Sequence, residues 1–105
     1  MENQDTSSEQ QLDQMRANRY RSLGNADGGK LIITNKRLIF EAHAINLNRE
    51  PLEIPLSEIV SVTPFNAFIV PNGMKITMRD GTEHKFVINR RKTIMALIQN
   101  TLPKS

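Results

Sequence analysis

Cysteine and tryptophan are absent from the 105 residues, and tyrosine occurs once. The lack of cysteine excludes a disulfide scaffold and any zinc site built on thiolates. Aromatics are scarce, with four phenylalanines beside the single tyrosine, so no basic and aromatic interleaving offers a stacking face for bases. A pI of about 9.6 therefore argues weakly for nucleic acid, and that partner is not expected. No apolar run approaches the ~20 residues that span a bilayer, and the first residues lack the apolar core of a signal peptide. The expectation is a cytoplasmic chain, peripheral to a membrane at most.

Catalytic groups are equally sparse. The two histidines, His43 and His84, stand alone, without the His-Glu-x-x-His spacing of a metal site. Ser57 and Ser61 have no neighbouring base, and the carboxylates are scattered over turns. No nucleophile, base and stabiliser assemble from these residues. The chain is expected to be non-enzymatic, with no cofactor, no metal and no small-molecule substrate.

Charge is unevenly distributed. Residues 1–15 carry Glu2, Asp5, Glu9 and Asp13 with no Lys or Arg, a sum of −4, whereas residues 16–105 sum to +7. The first segment is polar and nearly free of apolar residues, which predicts a disordered acidic tail over 1–15. The spacing of Ser8 and Gln11 leaves a short capped helix open as an alternative. Opposite charge allows this tail to cover the basic surface near Lys30, Arg37 and Arg90–Lys92.

From Arg16 to Leu102 the chain reads as one domain. Arg16–Leu23, Lys30–Thr34, Arg37–Ala42, Pro51–Ile54, Ser57–Thr63, Met74–Arg79 and Glu83–Ile88 are predicted strands. Met74, Ile76 and Met78 alternate strictly with Lys75, Thr77 and Arg79, and Asp80-Gly81 is a preferred hairpin turn. The cluster Asn25-Ala26-Asp27-Gly28-Gly29 predicts a turn between the first two strands. Gly24, Gly28 and Gly29 are not a phosphate loop, because no helix follows them and no Gly-Lys-Ser/Thr closes the motif. Asn89 is placed to cap a helix over Arg90–Leu102, whose face of Ile94, Leu97 and Ile98 has a core to find. Seven strands with no intervening helix exclude a doubly wound parallel sheet. The fold expected is a bent antiparallel β-barrel with its end plugged by the helix. Phe40 and Phe86 are expected in its core, and His84, on the same face as Phe86, is expected at the rim.

The stretch Gly29-Lys30-Leu31-Ile32-Ile33-Thr34-Asn35-Lys36-Arg37-Leu38-Ile39-Phe40 carries more than periodicity. With Leu52–Val62, Pro71–Ile76, Asp80-Gly81 and Phe86-Val87, it resembles a GRAM domain, and is most similar to the short bacterial type. The resemblance covers about Arg16 to Leu102. It implies the pleckstrin-homology-like fold, mainly β, with a seven-stranded bent barrel capped by a C-terminal helix. It also implies a binding module, for either proteins or anionic lipids such as phosphoinositides.

Two basic groups are candidate anion or lipid sites. Arg90, Arg91 and Lys92 crowd the first turn of the predicted helix, where free backbone N–H groups add to their charge. Lys30, Lys36 and Arg37 surround the first hairpin, near the place where the resemblance implies phosphate binding. Phe68, Ile69 and Val70 form a candidate apolar docking lip. The function expected is docking to a protein partner or to itself as a homodimer, with an anionic membrane surface as the alternative.

Overall fold

The alternating runs of the sequence need a solvated face and a buried one, and a single curled sheet supplies both. The computed structural model describes residues 8–22, 25–43, 50–67 and 70–103. Its strands are β1 (Gln11–Ser22), β2 (Asn25–Thr34), β3 (Arg37–Ala42), β4 (Leu52–Pro55), β5 (Ile59–Ala67), β6 (Val70–Met78) and β7 (Glu83–Ile88). All seven lie in one antiparallel sheet of order β4-β3-β2-β1-β7-β6-β5. A 3-10 turn (Leu56–Glu58) joins β4 to β5, and helix α1 (Arg91–Thr101) follows β7. The expected architecture is present. β4 and β5 are the edges of the sheet, so the barrel is bent but not closed by a ladder.

The inner face holds Leu31, Ile33, Leu38, Phe40, Ile54, Met74, Ile76, Phe86 and Ile88, all buried. The rings of Phe40 and Phe86 meet from facing strands with centroids 5.5 Å apart. Ile94 and Ile98 of α1 are fully buried in the same cluster, and Leu97 and Leu102 pack partly against it. The helix thus plugs the core, against β5 and β6. Gln99 Nε2 also donates to the Val62 carbonyl, 2.9 Å away, which satisfies an acceptor on edge strand β5.

Three expectations change. β1 begins at Gln11, inside the segment 1–15 predicted as a tail, and no helix forms from Ser8 to Gln11. Asp13, Gln14 and Met15 pair with Ile33, Ile32 and Leu31. A polar segment can join a sheet when its neighbour supplies the ladder and its outer side faces water. Residues 1–7 lie outside the described residues. Next, residues 25–29 are not a turn but the first half of β2. Gly29 is a strand glycine set by close approach. A Cβ there would collide with the Glu41 carbonyl and lie 2.8 Å from Phe40 Cζ. Finally, the helix cap is Arg90 rather than Asn89, and Arg90 takes the left-handed conformation (φ 58°, ψ 40°) with no side-chain cap bond.

The register also explains two exposed apolar residues. β1 shifts register between Gln11 and Asp13, and β5 between Ile59 and Ser61. Leu12 (41% exposed) and Val60 (57% exposed) are the extra residues of these bulges, turned away from the core. The bulge at Val60 lets Ile59 and Val62, three residues apart, both face inward.

Phe86→Ala should lower stability by about 3–5 kcal/mol, because a fully buried ring leaves a cavity that the sheet cannot close. Chemical denaturation would show the midpoint shift. A variant that unfolds at the wild-type midpoint would contradict this core.

Candidate docking surface

The first hairpin places Thr34 at the end of β2 and Arg37 at the start of β3. Thr34 is 5% exposed, and its Oγ1 accepts from the backbone N–H groups of Lys36 and Arg37, both at 3.0 Å. That leaves its hydroxyl proton for one acceptor. It has two, the Arg37 carbonyl at 3.1 Å and the Glu9 carboxylate at 2.7 Å, and the shorter, charge-assisted bond takes it. Arg37 grips the same carboxylate with a fork, Nε to Oε2 at 2.8 Å and Nη2 to Oε1 at 3.1 Å. Its Nη1 lies 2.9 Å from Glu53 Oε1. Asn35 completes the latch. Its backbone N–H donates to the Gln10 carbonyl (3.0 Å), its side chain accepts from the Gln10 N–H (2.8 Å), and its Nδ2 donates to the Ser8 carbonyl (3.2 Å). The Arg37 and Thr34 bonds hold the Glu9 carboxyl below the usual range, and Glu9 in turn raises Arg37.

The other predicted cations are engaged as well. Lys30 Nζ stands 3.8 Å from Glu41, and Arg90 Nη2 stands 3.6 Å from Asp13. Arg91 does not point to an anion. Its Nη1 donates to the carbonyls of Phe65 and Gly73, 3.3 Å each, and ties the helix start to the β5–β6 hairpin. Lys92 is exposed on the helix, and Lys36 is exposed at the hairpin turn. The two predicted basic groups therefore do not converge on one anion. Of the apolar lip, Phe68 and Ile69 lie outside the described residues, as does the side chain of Val70, which opens β6.

A second cluster was not foreseen. β1 pairs with β7 as well as β2, setting Tyr20 opposite Lys85. Tyr20 on β1 and Phe65 on β5 reach toward each other across the outer face of β7 and β6 with ring centroids 5.9 Å apart. Lys85 Nζ lies 5.7 Å from the Phe65 ring centre, within range of a cation–π attraction. Phe65 rests on Gly73, where a Cβ would stand 2.5 Å from the ring. The sequence signal was weak: one glycine in a strand, and aromatics too far apart in the chain to be read as a pair.

His84 sits opposite Ile76 at the rim, as expected. Burial, and then the Arg19 charge, push its pKa below the ordinary value, and Asp80 opposes them. Its Nδ1 is buried without a hydrogen-bond partner among the described residues.

Comparison with solved structures places this arrangement in a known fold. The chain superposes on the C-terminal domain of an unknown protein from Leishmania infantum with a TM-score of 0.77, at 16% identity, over 97% of this chain and 92% of that one. It matches the N-terminal PH domain of human ARAP2 with a TM-score of 0.71, at 12% identity, over 86% and 77% of the two chains. The Slm1 PH domain, solved in complex with inositol-4-phosphate, matches with a TM-score of 0.61, at 17% identity, over 87% and 92%. The fold is therefore pleckstrin-homology-like. The GRAM domain model matches residues 6–102, and the chain belongs to the GRAM domain family. Comparison with curated proteins gives no match.

Glu9 and His84 both make the fold less stable as pH falls, but in different pH ranges, because the folded-state pKa of each is lowered. Glu9 has a lower pKa folded than unfolded, so its contact contributes fully above the ordinary carboxyl value of 4.5 and is lost as pH falls through the lowered value. Glu9→Gln should cost about 1–2 kcal/mol at neutral pH, a deficit that vanishes in acid. His84, a base with a lowered folded pKa, favours folding fully above its ordinary 6.5 and opposes it as pH falls from there. His84→Leu should flatten the stability profile between about pH 7 and 5. Urea titrations across pH measure both. Parallel profiles for variant and wild type would refute either assignment.

Proposed function

We propose that this chain is a non-enzymatic, intracellular docking module that engages a protein partner or a second copy of itself. The observation that supports this over lipid binding is the state of the predicted headgroup cations. Arg37 is gripped by Glu9 and Glu53, Arg90 faces Asp13, and Arg91 is bound to backbone carbonyls. A multiply charged headgroup needs several cations aimed at one point, and these are aimed at protein groups instead. Membership of a family of binding modules supports the broader reading.

A second reading, docking to an anionic membrane, has one observation in its favour. The Slm1 PH domain, which shares the fold, was solved with inositol-4-phosphate. Sedimentation with anionic vesicles, titrated with salt and run beside a sizing measurement, separates the two. Protein docking predicts that the chain stays in the supernatant at about 0.15 M salt. Salt-sensitive co-sedimentation with phosphoinositide vesicles would overturn it.

A further inference from the structure

The register of the sheet sorts its outer face into rows. One row is Lys30 and Arg16, directly opposite each other on β2 and β1. The next is Gly28, Asn18 and Val87, running across β2, β1 and β7, with Gly73 beyond it on β6. The third is Tyr20, Lys85 and Lys75, across β1, β7 and β6. The middle row carries no charge and, at Gly28, no side chain. Its β2, β1 and β7 part floors a cavity of about 340 Å³ on the Arg16 side, lined by Arg16, Asn18, Gly28, His43, Val87 and Asn89, while Tyr20 and Lys85 line a separate hollow with Glu83 and His84. The far end is stopped by Phe65, whose ring covers Gly73.

The rows on both sides of the middle row, the two banks of a shallow channel, are cationic, and each contains a like-charge pair placed directly across the ladder, Arg16 with Lys30 and Lys75 with Lys85. Such pairs weaken a sheet; Glu41 and Glu83 offset the outer cations and the Phe65 ring lies under Lys85, but Arg16 has no such contact among the described residues. Of the acids of the same face, Glu41 and Glu83 stand 3.8 Å from Lys30 and 3.7 Å from Lys75, and Glu53, on β4, pairs with Arg37. Arg16 and Lys85, the inner cations of the two rows, have no acidic partner among the described residues. Tyr20 lies four positions beyond Arg16 along β1, so the banks lie about 13 Å apart. An extended peptide lying across the strands sends alternate side chains to opposite sides, and acidic side chains so directed would meet one bank and then the other.

We propose that this channel is the docking site of the module, and that its occupant is an extended acidic segment of a partner protein. The proposal rests on the protein-docking reading above and names the surface and the chemistry of the partner. Gly28 leaves the floor open, Arg16 and Lys85 supply the charge, and the Tyr20–Phe65 pair limits the length.

The test is fluorescence anisotropy with a labelled Glu- and Ser-rich peptide of about twelve residues, long enough to cross the described part of the sheet. It is run beside anionic vesicles. Arg16→Gln with Lys85→Gln removes two charges from the banks. Ala96→Glu with Asn100→Glu changes the net charge equally at exposed positions in the second half of α1. Gly28→Val fills the floor, and its Cβ would meet only the end of the Asn18 side chain, at 3.2 Å. The wild type should bind the peptide, the bank variant should lose about tenfold or more, the filled variant should weaken similarly, and the helix variant should lose markedly less. Melting curves confirm that each variant is folded, and a bank or Gly28 variant that fails to fold is replaced by Lys85→Gln alone or by Gly28→Ala. Equal loss in the bank and helix variants, or none in either, would overturn the channel while leaving protein docking intact. Vesicle binding without peptide binding would overturn both readings.

Discussion

Strand β1 is hydrogen-bonded on both sides. It runs along β2 from Gln11 to Ser22 and shares Ala17–Tyr20 with β7. That double pairing joins the two halves of the sheet, and most other features depend on it. It presses Ala17 into the core beside Ile88, brings Tyr20 over to Phe65, and sets Arg16 and Lys85 in rows on either side of Asn18. On its other side β2 lies close to β3, which is why Gly29 has no room for a side chain. A strand paired on both sides cannot slip register without turning its buried face to water, so these placements are set together.

The electrostatics follow from the same geometry. Because β1 begins well before Arg16, the acidic residues ahead of it are carried along the hairpin turn and the helix start. Glu9 lands on Arg37 and Asp13 near Arg90. The opposite charges read in the sequence as a tail and a basic body are, at these two positions, internal contacts of the fold. The Glu9 contact is worth more than an ordinary surface pair, since it is forked, backed by Thr34 and only 15% exposed on the carboxylate side. The Asp13 contact, at 3.6 Å with Arg90 half exposed, contributes little. On the outer face of β1 and β7, Arg16 and Lys85 are left without an acidic partner among the described residues.

Much of the architecture was legible in the residues. Strict alternation at Met74–Met78, the Asp80-Gly81 turn, the apolar face of Ile94 and Ile98 and the resemblance over Gly29–Phe40 led to seven strands, a plugging helix and the GRAM family. The errors share one cause. Glycines in Asn25–Gly29 have a local meaning, a turn, and a long-range one, close approach of a neighbouring strand, and only the position of Glu41 and Phe40 decides between them. The polar run before Arg16 looked unstructured because its partner, β2, lies some twenty residues away in the chain.

The candidate site divides the same way. Residue types alone determined the fold class, the absence of a thiolate metal centre and the supply of basic side chains, because these depend on composition and on periods of two or 3.6 residues. Which cations face one another, which are gripped by acids, and which glycine floors a channel were decided only by the tertiary structure. Those properties depend on register between strands distant in sequence, and a shift of one residue would send each side chain to the other face.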